Sequence, residues 1–171
     1  LVYLSQMKAR LETIAVLALS LAAHAQQEAL PVEGVALDAL STKTGSPAEG
    51  WSTEEDGAIH FGGNTGKAGG KDIFIAGEYE NFILDFEWKV GPGANSGIKY
   101  RLLSRGKDLV GPEYQLLDDS RHADGNSPLT SAGSLYGLYA PNGSKELKPI
   151  GEFNHGRIVA EMPSGWSDHD L

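Results

Sequence analysis

Three short segments carry charged and amide side chains two residues apart. They are Asp85 and Glu87 in NFILDFEWKV, Lys99 and Arg101 in NSGIKYR, and Glu113 and Gln115 in GPEYQLLDD, which ends in Asp118 and Asp119. On an extended chain, residues two apart lie about 7 Å apart on the same face. If the segments are neighbouring strands, carboxylates, cations and an amide meet on one sheet surface. Such a surface can take up a proton, stabilise developing negative charge and hydrogen-bond hydroxyl groups. A solvated outer face with cross-strand ion pairs, each worth about a few tenths of a kcal/mol, fits the same spacing, and spacing alone favours that simpler account.

Two features favour chemistry. Gln115 beside Glu113 offers the donors and acceptors that sugar hydroxyls need, and Tyr100, Tyr136 and Tyr139 supply flat faces for a pyranose ring, with core packing the expected fate of at least one. The loop DDSRHADGNSP holds Asp118, Asp119, His122 and Asp124, which suit a hard cation. Its spacing matches no calcium-binding loop, so an ordinary surface loop is the default. Gly66-Lys67 is followed by Ala68 where a phosphate-binding loop has Ser or Thr, and no Gly-x-Ser-x-Gly nucleophile elbow occurs.

These side chains need strands to position them. Phe82, Leu84, Phe86 and Trp88 alternate with Ile83, Asp85, Glu87 and Lys89, the period of a half-buried strand. After GPGANSG the alternation resumes over Ile98–Leu103, so the two segments read as a hairpin. Tyr114–Leu117, SLYGLYAP and Gly151–Val159 read as further strands, and Ala58–Phe61 as a short earlier one. Strands separated by Gly and Pro turns, with no sustained helical period, predict an all-β antiparallel sandwich or jelly roll.

The composition is 40% hydrophobic and 22% charged, which supplies a core and excludes disorder. At 171 residues the chain suits one domain, and a formal charge of -9 disfavours nucleic acid as a partner. The absence of cysteine excludes disulfides and thiolate chemistry. Met7–Arg10, the uncharged run Ile14–Ala23 and Ala23-His24-Ala25 together read as a cleaved export signal preceded by an upstream extension, so residues 1–25 are expected to be absent from a periplasmic or extracellular product. The apolar run falls well short of the roughly 20 residues that cross a bilayer, so no stable membrane span is expected after signal removal. Residues 26–50 read as an irregular lead-in, 51–159 as the sandwich and 160–171 as a tail of different character.

Read in order, the YENFILDFEWKV, NSGIKYR, GPEYQLLDD, RHAD, AGSLYGLYAP and KPIGEFNHGRIV segments resemble the 3-keto-disaccharide hydrolase domain family across about Trp51 to Val159. The resemblance implies a concanavalin A-like β-sandwich with a concave sugar-binding face. It also implies cleavage of the glycosidic bond of a sugar oxidised at carbon 3. The resemblance stops after Val159, where the family continues into further strands, and this predicts a sandwich lacking its last strands.

The ketone acidifies the hydrogen on carbon 2, so a base can form an enolate, the group on carbon 1 leaves, and water then adds. For that route Glu113 is the first candidate acid or base, with Asp118 or Asp119 second. Lys99 and Arg101 are the candidate stabilisers of negative charge, aided by a divalent cation near His122 and Asp124. Asn95, Gln115, Tyr136, Glu87 and His122 are the candidate substrate-binding residues. An ordinary retaining glycosidase would instead place two carboxylates about 5 Å apart across an unmodified sugar, and Asp85 and Glu87 are easily mistaken for such a pair. A non-catalytic lectin-like module and an inactive truncated product are the alternatives.

Overall fold

The structure, a computed structural model, describes residues 2–12, 30–33, 37, 40–42, 49–62, 72–75, 79 and 81–161. Among them the chain is all-β, with antiparallel pairing throughout. The larger sheet contains β1 (Val2–Glu12), β2 (Leu30–Glu33), β4 (Trp51–Thr53), β5 (Ile59–Phe61), β7 (Asn81–Val90) and β12 (Asn154–Ala160). Its strand order is β12-β7-β1-β5-β4, and β2 also pairs with β1. Short two-stranded ladders join β3 (Leu40–Ser41) to β6 (Phe74–Ile75) and β9 (Leu103–Arg105) to β10 (Asp108–Val110). The ladder that matters most for chemistry joins β8 (Asn95–Lys99) to β11 (Glu113–Leu117).

Strand β7 alternates as its sequence requires: Leu84, Phe86, Trp88 and Val90 are buried, while Asp85, Glu87 and Lys89 take the other face. The buried face joins Leu116, Leu117 and Ile158 in one core, against which Ile98, Tyr100 and Tyr114 pack. Edge-to-face ring contacts, Phe86 on Tyr114 at 5.4 Å and Phe82 on Tyr100 at 5.9 Å, hold the β8–β11 layer on the larger sheet. Opposite Phe86, β12 carries Gly156, where a β-carbon would overlap the ring.

Two expectations are corrected here. Strands β7 and β8 do not form a hairpin: β7 pairs with β12 and β1, and β8 pairs with β11 in the other layer. Both segments place their aromatics on a core face, and stacking two layers buries both sets, whereas pairing them in one sheet would leave the second layer unbuilt. SLYGLYAP is a turn joined by isolated bridges of Leu135 to Tyr114 and Tyr139, because Gly133 and Gly137 adopt positive φ and break the strand.

The N-terminal segment also has a structural place. Residues 2–12, expected to fall in an extension and cleaved signal, form β1 between β7 and β5, and Leu4 packs against the core. The β-branched, aromatic and aliphatic residues Val2, Tyr3 and Leu4 suit a central strand, and local composition does not separate that use from the approach to an export signal. The rest of the expected signal, residues 13–25, lies outside the described residues, as do the glycine-rich loop from Gly63 and the tail beyond Glu161. Among the described residues, no helix is long and apolar enough to cross a membrane.

Candidate functional site

Register builds the site. In the β8–β11 ladder Lys99 lies opposite Glu113, and Gly97 opposite Gln115. Opposed residues share a face, so these four occupy the side turned away from Ile98 and Tyr114, which face the core. The Lys99 ammonium stands 3.7 Å from the Glu113 carboxylate, a partly exposed pair. Gly97 has no side chain because the Glu113 carboxylate lies over its α-carbon; a β-carbon there would overlap it.

On the other edge of β11, the Gly133 N–H donates to the Gln115 carbonyl at 2.8 Å, the Gln115 N–H to the Ser134 carbonyl at 3.1 Å and the Tyr136 N–H to the Glu113 carbonyl at 2.9 Å. This edge contact delivers Tyr136 to the same region. Buried Gln115 donates its Nε2 to Asn95 Oδ1 at 3.0 Å, and Asn95 Nδ2 donates to Asp124 Oδ2 at 3.1 Å. The Tyr136 hydroxyl donates to the same Asp124 oxygen at 3.4 Å. Above them His122 caps the short 3-10 turn Ala123–Asn126, its Nδ1 accepting the Asp124 N–H at 3.2 Å. The negative charge of Asp124 chiefly, with burial, the Asp124 hydrogen bond and the charge of Glu113, pushes the Tyr136 phenol above its usual value, so it remains a donor at neutral pH.

Glu113, Gln115, Asn95, His122 and Tyr136 are therefore brought together, with Lys99 at the margin. Four other candidates are placed elsewhere. Asp118 is buried, and its carboxylate accepts the Gly93 N–H at 2.8 Å, the Ser120 N–H at 3.0 Å and the Ser120 hydroxyl at 2.6 Å. Burial alone would raise its pKa, but the hydrogen bonds from Gly93 and Ser120, with the charge of Arg121, hold it below the usual carboxylate value. It is a clamp between the turn before β8 and the end of β11, which corrects its assignment as a second acid or base. Asp119 likewise accepts the Ala132 N–H at 2.8 Å and pairs with Lys145 at 2.7 Å, so its oxygens secure the loop that follows.

Arg101 follows the end of β8 with a left-handed φ of 49°, outside the ladder that aligns Lys99 with Glu113. Glu87 is corrected too. It lies opposite His155 on β12, on the outer face of the larger sheet with Asp85, and Asp85 meets His155 and Arg157 at 3.6 Å each. Strand alternation sends this face away from the core and hence away from the β8–β11 layer. Among the described residues, no group of three or more His, Asp and Glu is arranged to hold a metal ion; near the expected cation site, His122 Nδ1 and Asp124 Oδ2 are 3.6 Å apart.

Sequence reading missed the central role of Asp124, which it named only as a cation ligand, and the need for Gly97. A glycine inside an otherwise alternating strand was the available signal. Two cavities, of about 280 and 310 Å³, lie beside Asp118 and Asp119, and neither includes Glu113 or Asn95. We place the site at the open cluster nonetheless, because the Asp118 and Asp119 carboxylates beside these cavities are occupied by structural hydrogen bonds.

The Asp118 clamp has a measurable consequence. Its folded pKa lies below the unfolded value, so its contribution is fully present above about pH 4 and is lost as pH falls through the folded value. Asp118→Asn should therefore lower stability at pH 7 while flattening the acid limb of a pH series of urea unfolding curves. An unchanged acid limb would remove the clamp.

Comparison with known proteins agrees with this architecture. The model of the 3-keto-alpha-glucoside-1,2-lyase-like domain matches residues 33–164. A 3-keto-disaccharide hydrolase of Bacteroides thetaiotaomicron is 36% identical over 126 residues, covering 63% of this chain and 43% of the relative. The chain thus spans less than half the length of that relative. A crystal structure of a Parabacteroides distasonis protein provisionally assigned as a glycosyl hydrolase matches with a TM-score of 0.61 and 29% identity, over 75% of this chain and 62% of the other. With most of its length matched by one family model and its all-β architecture shared with a solved relative, the chain belongs to the 3-keto-alpha-glucoside-1,2-lyase-like domain family.

Proposed function

We propose that this protein cleaves the glycosidic bond of 3-keto-glycosides by elimination followed by hydration. The observation that carries the reading is the position of Glu113: its carboxylate lies over Gly97, beside the neutral donors and acceptors of Asn95, Gln115 and Tyr136. Unlike Asp118 and Asp119, it is not tied to a backbone N–H in the hydrogen bonds described. A sugar laid on this face presents its C2 hydrogen to a base and its hydroxyls to the amides.

In the first step the Glu113 carboxylate takes the C2 proton, and the C–H electron pair moves into the ketone as an enolate. The enolate then collapses: the C3 carbonyl re-forms, a C1–C2 double bond forms, and the C1–O bond breaks as the proton held by Glu113 passes to the departing oxygen, which restores the carboxylate. Water adds across the double bond, hydroxyl to C1 and hydrogen to C2, which completes a net hydrolysis. The related proteins bear hydrolase names, which supports the substrate class. Export to the periplasm or beyond is part of the proposal and rests on the sequence of residues 7–25.

The test is incubation with a 3-keto-disaccharide and with its unoxidised parent. Turnover of the oxidised sugar alone is expected. Cleavage of the parent would replace this reading with ordinary glycoside hydrolysis, and saturable binding without turnover would replace it with a lectin-like module.

A further inference from the structure

The hydrogen-bond network around Asn95 fixes the direction of every proton but one pair. Gln115 Nε2 can only donate, so the Asn95 atom it meets at 3.0 Å is the carbonyl oxygen. The other Asn95 terminus faces the Asp124 carboxylate at 3.1 Å and is therefore the amide nitrogen. The reversed amide would set an oxygen against a carboxylate and a donor against a donor. His122 is fixed in the same way: its Nδ1 accepts the Asp124 backbone N–H at 3.2 Å, so in the neutral ring the hydrogen sits on Nε2. That Nε2 lies 3.4 Å from Asn95 Nδ2.

Two N–H donors thus stand side by side, and neither can accept from the other. Asn95 Nδ2 has two hydrogens, of which one goes to Asp124. We infer that the second Asn95 Nδ2 hydrogen and the His122 Nε2 hydrogen form a two-donor cradle for the C3 oxygen of the substrate, holding it as a ketone and more strongly as the enolate. This inference rests on the 3-keto-glycoside reading and names the group that stabilises the intermediate. Preorganised donors aimed at an oxygen that gains charge lower the barrier without costing reorganisation at the moment of reaction.

The spacing along the strand supports it. Asn95 and Gly97 are two residues apart on β8, about 7 Å along one face, and the Glu113 carboxylate lies over Gly97. A base on a C2 hydrogen and donors on the adjacent C3 oxygen need a separation of that order. Asp124 then acts as a positioning residue: its side chain orients the Asn95 amide and its backbone N–H selects the His122 tautomer. This assigns the stabilising role to Asn95 and His122 in place of the Lys99 and Arg101 pair.

The experiment separates enolate formation from bond cleavage. The 3-keto derivative of 1,5-anhydroglucitol has the acidic C2 hydrogen but no exocyclic leaving group at C1, so deuterium uptake at C2, read by proton NMR in deuterium oxide, reports enolate formation without glycosidic cleavage. Asn95→Ala removes one donor; His122→Asn keeps an oxygen able to accept the Asp124 N–H, while its amide N–H, on the shorter side chain, no longer reaches the Nε2 position. Each variant is expected to slow C2 exchange and cleavage of a 3-keto-disaccharide by about 100-fold or more in kcat, with KM changed less than about 3-fold. Exchange within about 3-fold of wild type in both variants would overturn the cradle while leaving the 3-keto-glycoside reading standing. A wild-type protein that neither exchanges nor cleaves would overturn both.

Discussion

Glu113→Gln should lower turnover of a 3-keto-disaccharide by about 100- to 10,000-fold, the range for removing a positioned general base. Gln fills nearly the same volume over Gly97 and keeps a hydrogen-bonding terminus, but it cannot take the C2 proton. The structural cost is small. The substitution breaks only the 3.7 Å ion pair with Lys99, partly exposed at both ends, and such pairs contribute less than about 1 kcal/mol after solvent screening. Folded protein with substrate affinity near that of wild type and little turnover is the expected combination, read by steady-state kinetics beside a urea melt. Gly97→Ala should reach a similar reduction by another route, because its methyl group takes the space of the Glu113 carboxylate and forces it to move. Near-normal turnover by Glu113→Gln would remove this carboxylate from the proton-transfer role.

Deleting residues 1–25 should have the largest effect on stability. Strand β1 is registered with β7 from Val2 opposite Val90 to Glu12 opposite Asn81, with a shift between Ser5 and Lys8. Its other edge meets β5 at Val2–Leu4 and β2 at Lys8–Leu11. Without it, the β4–β5 hairpin is separated from β7 and β12, and β7 presents an unpaired backbone edge beside its buried face. A destabilisation of about 3 kcal/mol or more in a chain of this size corresponds to a melting temperature lower by roughly 6–12 °C. Comparison of the full chain with one beginning at Gln26 by thermal unfolding checks this. Equal melting temperatures would mean that β1 adds nothing to the fold. The export reading demands cleavage after Ala25, which removes the same strand, so N-terminal sequencing of protein recovered from a periplasmic fraction decides which use the segment serves.

Much of this molecule is legible in local patterns. The alternation over Asn81–Val90 announces a strand with one buried face, and its burial follows residue by residue through Leu84, Phe86, Trp88 and Val90. The GPEYQLLDD segment likewise reads as a strand bearing Glu113 and Gln115 on one side. Period-2 alternation is a property of neighbouring residues, so a single chain displays it without reference to any partner.

Partnership is different. Whether NSGIKYR pairs with the strand before it or the strand after it depends on which arrangement buries two aromatic faces together, a comparison between distant segments. Asp118 and Asp119 are adjacent acids in the sequence, indistinguishable from catalytic ones until Gly93, Ser120, Ala132 and Lys145 arrive to occupy them. Asp124 shows the reverse: a loop acid read only as a cation ligand becomes the point where Asn95, His122 and Tyr136 meet. The β class and the buried faces were already written in the order of the amino acids, because they follow from residue type and local period. Which strands bring their polar side chains together, and which side chains are consumed as clamps, emerged from the folded chain alone. A hydrogen bond is settled by distances of a few ångströms between residues that lie far apart along the chain.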